Sequence, residues 1–163
     1  MRRITTRQVA RLFSLTFLTL ALGLIQAQAK SDFSGTWKLN TGKSDFGPIP
    51  APDSLTETIT HQDPSLKLNV ATKGGMQGDM TYDVSYTTDG KECVNKVGDN
   101  ELKSTLNWDG NALAVDTKGT FSGNDITLKD RWALSDDGKT LTITRHVTSA
   151  MGEADMKEVF EKQ

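Results

Sequence analysis

The stretch "KDRWALSDDGKTLTITRHV", residues 129–147, decides the fold. Trp132 and Leu134, with Leu128 just ahead of them, alternate with other residues on one side of Asp137-Gly138, and Leu141, Ile143 and Val147 follow on the other. A period of two marks half-buried strands, and an Asp-Gly pair between them tolerates the positive φ of a tight hairpin turn. Folding there sets Leu134 opposite Leu141, Trp132 opposite Ile143 and Asp130 opposite Arg145. Two charges thus share the apolar face, which is too costly unless each has a partner.

The same pattern runs outward in both directions. Asp89-Gly90 and Asp109-Gly110 also lie between apolar alternations, and Asp63-Pro64, Asp99-Asn100 and Gly123-Asn124 mark looser turns. Strands are expected near 33–40, 54–62, 65–73, 79–88, 91–97, 101–108, 111–121, 125–134, 139–149 and 153–162. In the last of these, Met156, Val159 and Phe160 also fit a helical stripe. Consecutive strands joined by short turns make an antiparallel meander, and about ten of them curl or close rather than leave flat edges exposed. The fold class is therefore all-β, a single antiparallel meander β-barrel of about ten strands. The longest irregular segment, "TGKSDFGPIPAPDS" at 41–54, is held extended by Pro48, Pro50 and Pro52. It is either a cover over one barrel mouth or a plain connection. "KGGMQGD" at 73–79 reads as a flexible turn, since neither the Lys-Ser/Thr pair nor the helix of a phosphate loop follows it.

The N-terminus reads as an export signal. Arg2, Arg3, Arg7 and Arg11 precede the apolar run Leu12–Ile25, and Ala27-Gln28-Ala29 fits a small-residue cleavage site. Residues 1–29 are thus expected to be a cleaved signal peptide and 30–163 the β-barrel domain, secreted or periplasmic in a bacterium. The run is too short and too often interrupted by Ser14, Thr16 and Thr19 for a spanning helix, so no stable membrane anchor is expected after cleavage. Removal takes four of 19 basic residues and none of 21 acidic ones, leaving a charge of about −6. An acidic chain with scattered lysines argues against nucleic acid as a partner. The single Cys93 allows no internal disulfide and is read as a buried, inert thiol.

Phe33-Ser34-Gly35-Thr36-Trp37-Lys38-Leu39 resembles the opening strand of the calycin superfamily, the lipocalins and fatty-acid-binding proteins, where a Gly-x-Trp begins the barrel. Val159-Phe160-Glu161-Lys162 is similar to the final strand of the fatty-acid-binding proteins, and Asn107-Trp108-Asp109-Gly110 to one of their hairpins. The chain also resembles uncharacterised lipocalin-like proteins that bacteria export. The resemblance implies a barrel holding a hydrophobic or amphipathic small molecule, with Trp37 closing the floor against a basic side chain. Where that family presents Arg-x-Tyr to a fatty-acid carboxylate, this chain has Glu158 and Phe160. Its two-helix lid is replaced by the proline-spaced segment 41–54.

A turn at Met151-Gly152 would place Arg145 opposite Glu158, Ile143 opposite Phe160 and Val147 opposite Met156, which completes a row of Asp130, Arg145 and Glu158. That row is a structural seam with Arg145 stacked on Trp37, or the polar end of a ligand site, or a partly solvated group near the mouth. The candidate ligand-binding lining includes Ile59, Leu68, Tyr82, Tyr86 and Leu106. It continues through Val115, Trp132, Ile143 and Phe160, with Trp37 at the floor and Arg145 as the polar anchor. His61 and His146 lack further ligands at metal spacing, so neither metal nor cofactor is expected. No nucleophile elbow or Cys-His pair suggests an enzyme. The chain is read as a monomeric carrier of an apolar or amphipathic ligand. The alternative is a ligand-free barrel serving as a protein-interaction module in the envelope or outside the cell.

Overall fold

The computed structural model describes residues 30–75, 78–121 and 123–163; the expected signal peptide lies outside the described residues. Ten strands form: β1 Gly35–Leu39, β2 Ser54–Gln62, β3 Ser65–Lys73, β4 Met80–Thr87 and β5 Glu92–Val97, then β6 Asn100–Asp109, β7 Ala112–Phe121, β8 Asn124–Leu134, β9 Thr140–Ser149 and β10 Gly152–Lys162. Each falls within two residues of the alternation that announced it. The C-terminal segment is strand, not helix, because its alternate residues Glu158 and Phe160 are drawn into the interior. Among the described residues the one helical element is a 3₁₀ turn at Thr41–Lys43.

All ten strands belong to one sheet in the order β4-β3-β2-β1-β10-β9-β8-β7-β6-β5, so the two ends of the chain meet where β1 pairs with β10. The barrel is nearly closed, with β4 and β5 as its edges. Asp89-Gly90, expected to close a hairpin, joins those edges without a ladder. Its backbone is held elsewhere: Gly90 N donates to Leu106 O at 2.9 Å and Thr88 N to Pro64 O at 2.8 Å. The Asn95 side chain bridges the gap instead, accepting from Ser85 N at 2.8 Å and donating to Ser85 O at 3.0 Å. Cys93 sits half-buried in the same seam rather than fully buried, with Thr87 N donating to its Sγ at 3.2 Å.

The β8–β9 register is the expected one, with Asp130 opposite Arg145 and Trp132 opposite Ile143. The next register is not. The chain turns at Ala150-Met151, and Gly152 pairs with Ser149, so Arg145 faces Met156, Ile143 faces Glu158 and Leu141 faces Phe160. A slip of two residues keeps every side chain on its face, so the hydrophobic pattern cannot distinguish the two pairings. The observed one sets Phe160 between Leu141 and Leu39 in the core.

Candidate functional site

The two ends of the barrel are built differently. At the floor, Phe33 packs against His61, Trp108 and Trp132 with ring centroids 5.8, 6.1 and 6.3 Å apart. Trp37 is fully buried and its Nε1 donates to Phe33 O at 2.9 Å. Gly35 explains the Gly-x-Trp spacing: its φ of +143° suits glycine, and a Cβ there would lie 2.6 Å from Lys162 Cε. The bare backbone lets the Lys162 stem cross to the indole, where Nζ stands 5.2 Å from the ring centroid. The basic partner of Trp37 is therefore Lys162, which corrects the assignment of that contact to Arg145.

At the other end the segment 41–53 folds over the opening, so it is a cover and not a bare connection. Asp45 and Lys157 exchange two backbone hydrogen bonds of 2.7 Å, and Val159 N donates to Ser44 Oγ at 2.9 Å. Phe46, buried beneath the cover, joins the core. Two adjoining cavities lie here. One of about 320 Å³ is lined by Pro48, Phe121, Ile126, Leu128 and Val147. The other, of about 180 Å³, is lined by Pro50, Leu55, Val70, Met80 and Tyr82. Ile49, Arg145 and Met156 line both.

Arg145 carries the polarity of this space. Its Nε and Nη2 donate to the two carboxylate oxygens of Asp130 at 2.8 and 2.7 Å, and its Nη1 lies 3.7 Å from Glu158 Oε2. Burial works against the guanidinium charge, but Asp130 and Glu158 more than offset it and hold its pKa well above the ordinary arginine value. The side chain keeps 25% of its surface accessible while Asp130 and Glu158 are nearly closed off.

A fourth charged residue belongs to the cluster. Glu57, directly opposite Trp37 and Val70, points inward and is only 7% exposed. Among the described residues its Oε2 has no hydrogen-bond partner. Burial first, then the neighbouring Glu158, pushes its carboxyl up to about 8, so the acid is mostly protonated at neutral pH. Burial, then Glu57, raises the Tyr82 phenol to about 12. Glu57 is absent from the lining expected from the sequence, although Ile59, two residues on, belongs to it and alternation puts both on one face.

Of the residues expected to line a ligand space, the structure gathers Tyr82, Arg145 and Glu158 around the mouth cavities. Asp130 stands behind Arg145 as its bidentate partner. Tyr86, part-buried, packs against the core. Ile59, Leu68, Leu106 and Val115 lie within the packed core. Trp37, Trp132, Ile143 and Phe160 lie there too, the first two in the floor. Cavity walls absent from the expected lining include Ile49, Phe121, Ile126 and Met156, and the inward parity of the last three was readable from the alternation.

The architecture is a calycin-like barrel. A secretory abundant heat soluble protein from Ramazzottius varieornatus superposes with a TM-score of 0.61 at 14% identity, over 84% of this chain and 99% of that one. Zebrafish ileal bile acid-binding protein, solved in complex with cholic acid, superposes with a TM-score of 0.59 at 17% identity, over 82% of this chain and all of that one. A second heat soluble protein from Ramazzottius varieornatus gives 0.56 at 14% identity, over 83% of this chain and 99% of that one. No protein-family model and no curated protein sequence matches the chain.

Proposed function

We propose that this is an exported binding protein, a lipocalin-like bacterial barrel that carries a small apolar or amphipathic molecule in the periplasm or outside the cell. The observation that carries the reading is the pair of apolar cavities under the 41–53 cover, which meet at one partly accessible guanidinium. Concave, mostly apolar sites with a few placed polar groups are the usual form of small-molecule sites. The bile acid complex of the zebrafish neighbour supports binding, rather than catalysis, on this fold. The signal-like segment at 1–29 supports export.

Native mass spectrometry of protein purified from its own host tests the proposal. A small molecule that copurifies at one per chain is the expected result. Protein that emerges empty and takes up no amphiphilic probe would favour the interaction-module reading instead.

A further inference from the structure

We infer that the mouth cavity takes an amphiphile whose polar end is a hydrogen-bond donor, an amine or an alcohol, and that Glu57 is the residue that selects it. The inference rests on the binding reading above. Three carboxyl groups, Glu57, Asp130 and Glu158, surround a single guanidinium, and two of its nitrogens already donate to Asp130. A carboxylate head group would enter as a further like charge and find its best partner taken. A donor head group meets the opposite situation. Glu57 is 7% exposed, its Oε2 has no hydrogen-bond partner among the described residues, and it sits opposite Val70 and two residues from Leu55, both of which line the smaller cavity together with Tyr82 and Glu158. A buried acceptor without a partner is the group that a donor best satisfies.

Glu57 distinguishes the two donor classes chemically. Its carboxyl or a glutamine amide can each accept from an alcohol, so the exchange leaves alcohol binding nearly unchanged. An ammonium favours the ionised carboxylate: the O–H bond of Glu57 breaks, its electron pair stays on oxygen and the proton leaves to water. Glutamine cannot do this.

Calorimetric titration of purified protein near neutral pH with dodecylamine, dodecanol and dodecanoate, all below their micelle concentrations, tests the inference. The amine and the alcohol are each expected to bind about tenfold tighter than the acid, which corresponds to about 1.4 kcal/mol. In Glu57→Gln the amine should weaken about tenfold while the alcohol stays within about twofold. Tightest binding by dodecanoate, or an unchanged amine-to-alcohol ratio in Glu57→Gln, overturns the inference and leaves the binding proposal standing. Failure of all three to bind defeats both. If Glu57→Gln does not fold, the wild-type ranking still decides for or against a donor head group, and repeating the wild-type titrations in buffers of different ionisation enthalpy reads the proton that the amine, unlike the alcohol, should displace from Glu57; no proton release with the amine overturns the inference.

Discussion

Gly35, Trp37 and Lys162 form one device: the glycine leaves room for the lysine stem, and the lysine covers the indole that seals the floor. Gly35→Ala brings a side chain into a φ of +143° and is expected to cost about 1–3 kcal/mol in urea unfolding. If the lysine stem is part of the conflict, the same change will cost less in a Lys162→Ala background; equal costs would leave backbone strain as the whole effect. The charge row works by mutual need rather than by surplus stability. Arg145→Met strands Asp130 and Glu158, both nearly closed off, and is expected to cost about 3 kcal/mol, the low end for a broken buried pair because Arg145 keeps some access to water. Replacing all three with Asp130→Leu, Arg145→Met and Glu158→Leu should recover much of that loss, since well-packed apolar residues need no partners. Urea curves of the single and triple variants check this. A single variant as stable as the wild type would mean that the row is solvated.

The strands themselves were legible because each carries its own alternation and its own turn residues, and ten such signals agree. Two element-scale features were not. The β9–β10 register differs from expectation by a full period of the pleat, Arg145 opposite Met156 and not Glu158, and a two-residue slip leaves no trace in a pattern of period two. The seam between β4 and β5 was hidden for another reason: Asp89-Gly90 has hairpin chemistry, but what joins the edges is side chains, Asn95 to Ser85 and Cys93 to Thr87. Glu57 was legible by parity, two residues from Ile59, while the depth of the cavities depends on where the cover settles, which no local pattern encodes. Asn95 is expected to be the fastener of the seam. Asn95→Ala removes two hydrogen bonds to Ser85 in a part-exposed setting and should cost about 1 kcal/mol. Hydrogen exchange should quicken along β4 and β5 while β8 and β9, buried between laddered neighbours, stay protected. Uniform acceleration over the whole barrel would show that the seam is not a separate unit.

At the scale of the molecule, the interior is acidic and the floor contains a buried base, and together they set how stability varies with pH. Glu57 faces Glu158, Arg145 and Asp130 across the barrel, and its carboxyl titrates at about 8 in the folded chain against 4.5 unfolded. The unfolded chain therefore loses this proton first as pH rises, so Glu57 withdraws stability from 4.5 upward until its folded form ionises near 8. His61 acts in the opposite sense. It packs against Phe33 and Trp108, its Nε2 has no partner among the described residues, and burial lowers its pKa below 6.5, so the unfolded chain takes up a proton that the folded chain refuses as pH falls through 6.5. Just below 6.5 the two tendencies oppose each other, and between 6.5 and 8 Glu57 acts without that counterweight. Stability is expected to decline through this upper window by up to about 1.4 kcal/mol per pH unit, the limit for one proton. Glu57→Gln cannot ionise, so it should flatten the decline and be the more stable protein at the top of the window. Urea unfolding of the two proteins at several pH values across it decides the matter. A wild type whose stability is level there would mean that Glu57 is ionised in the folded barrel, with Arg145 shared among three carboxylates.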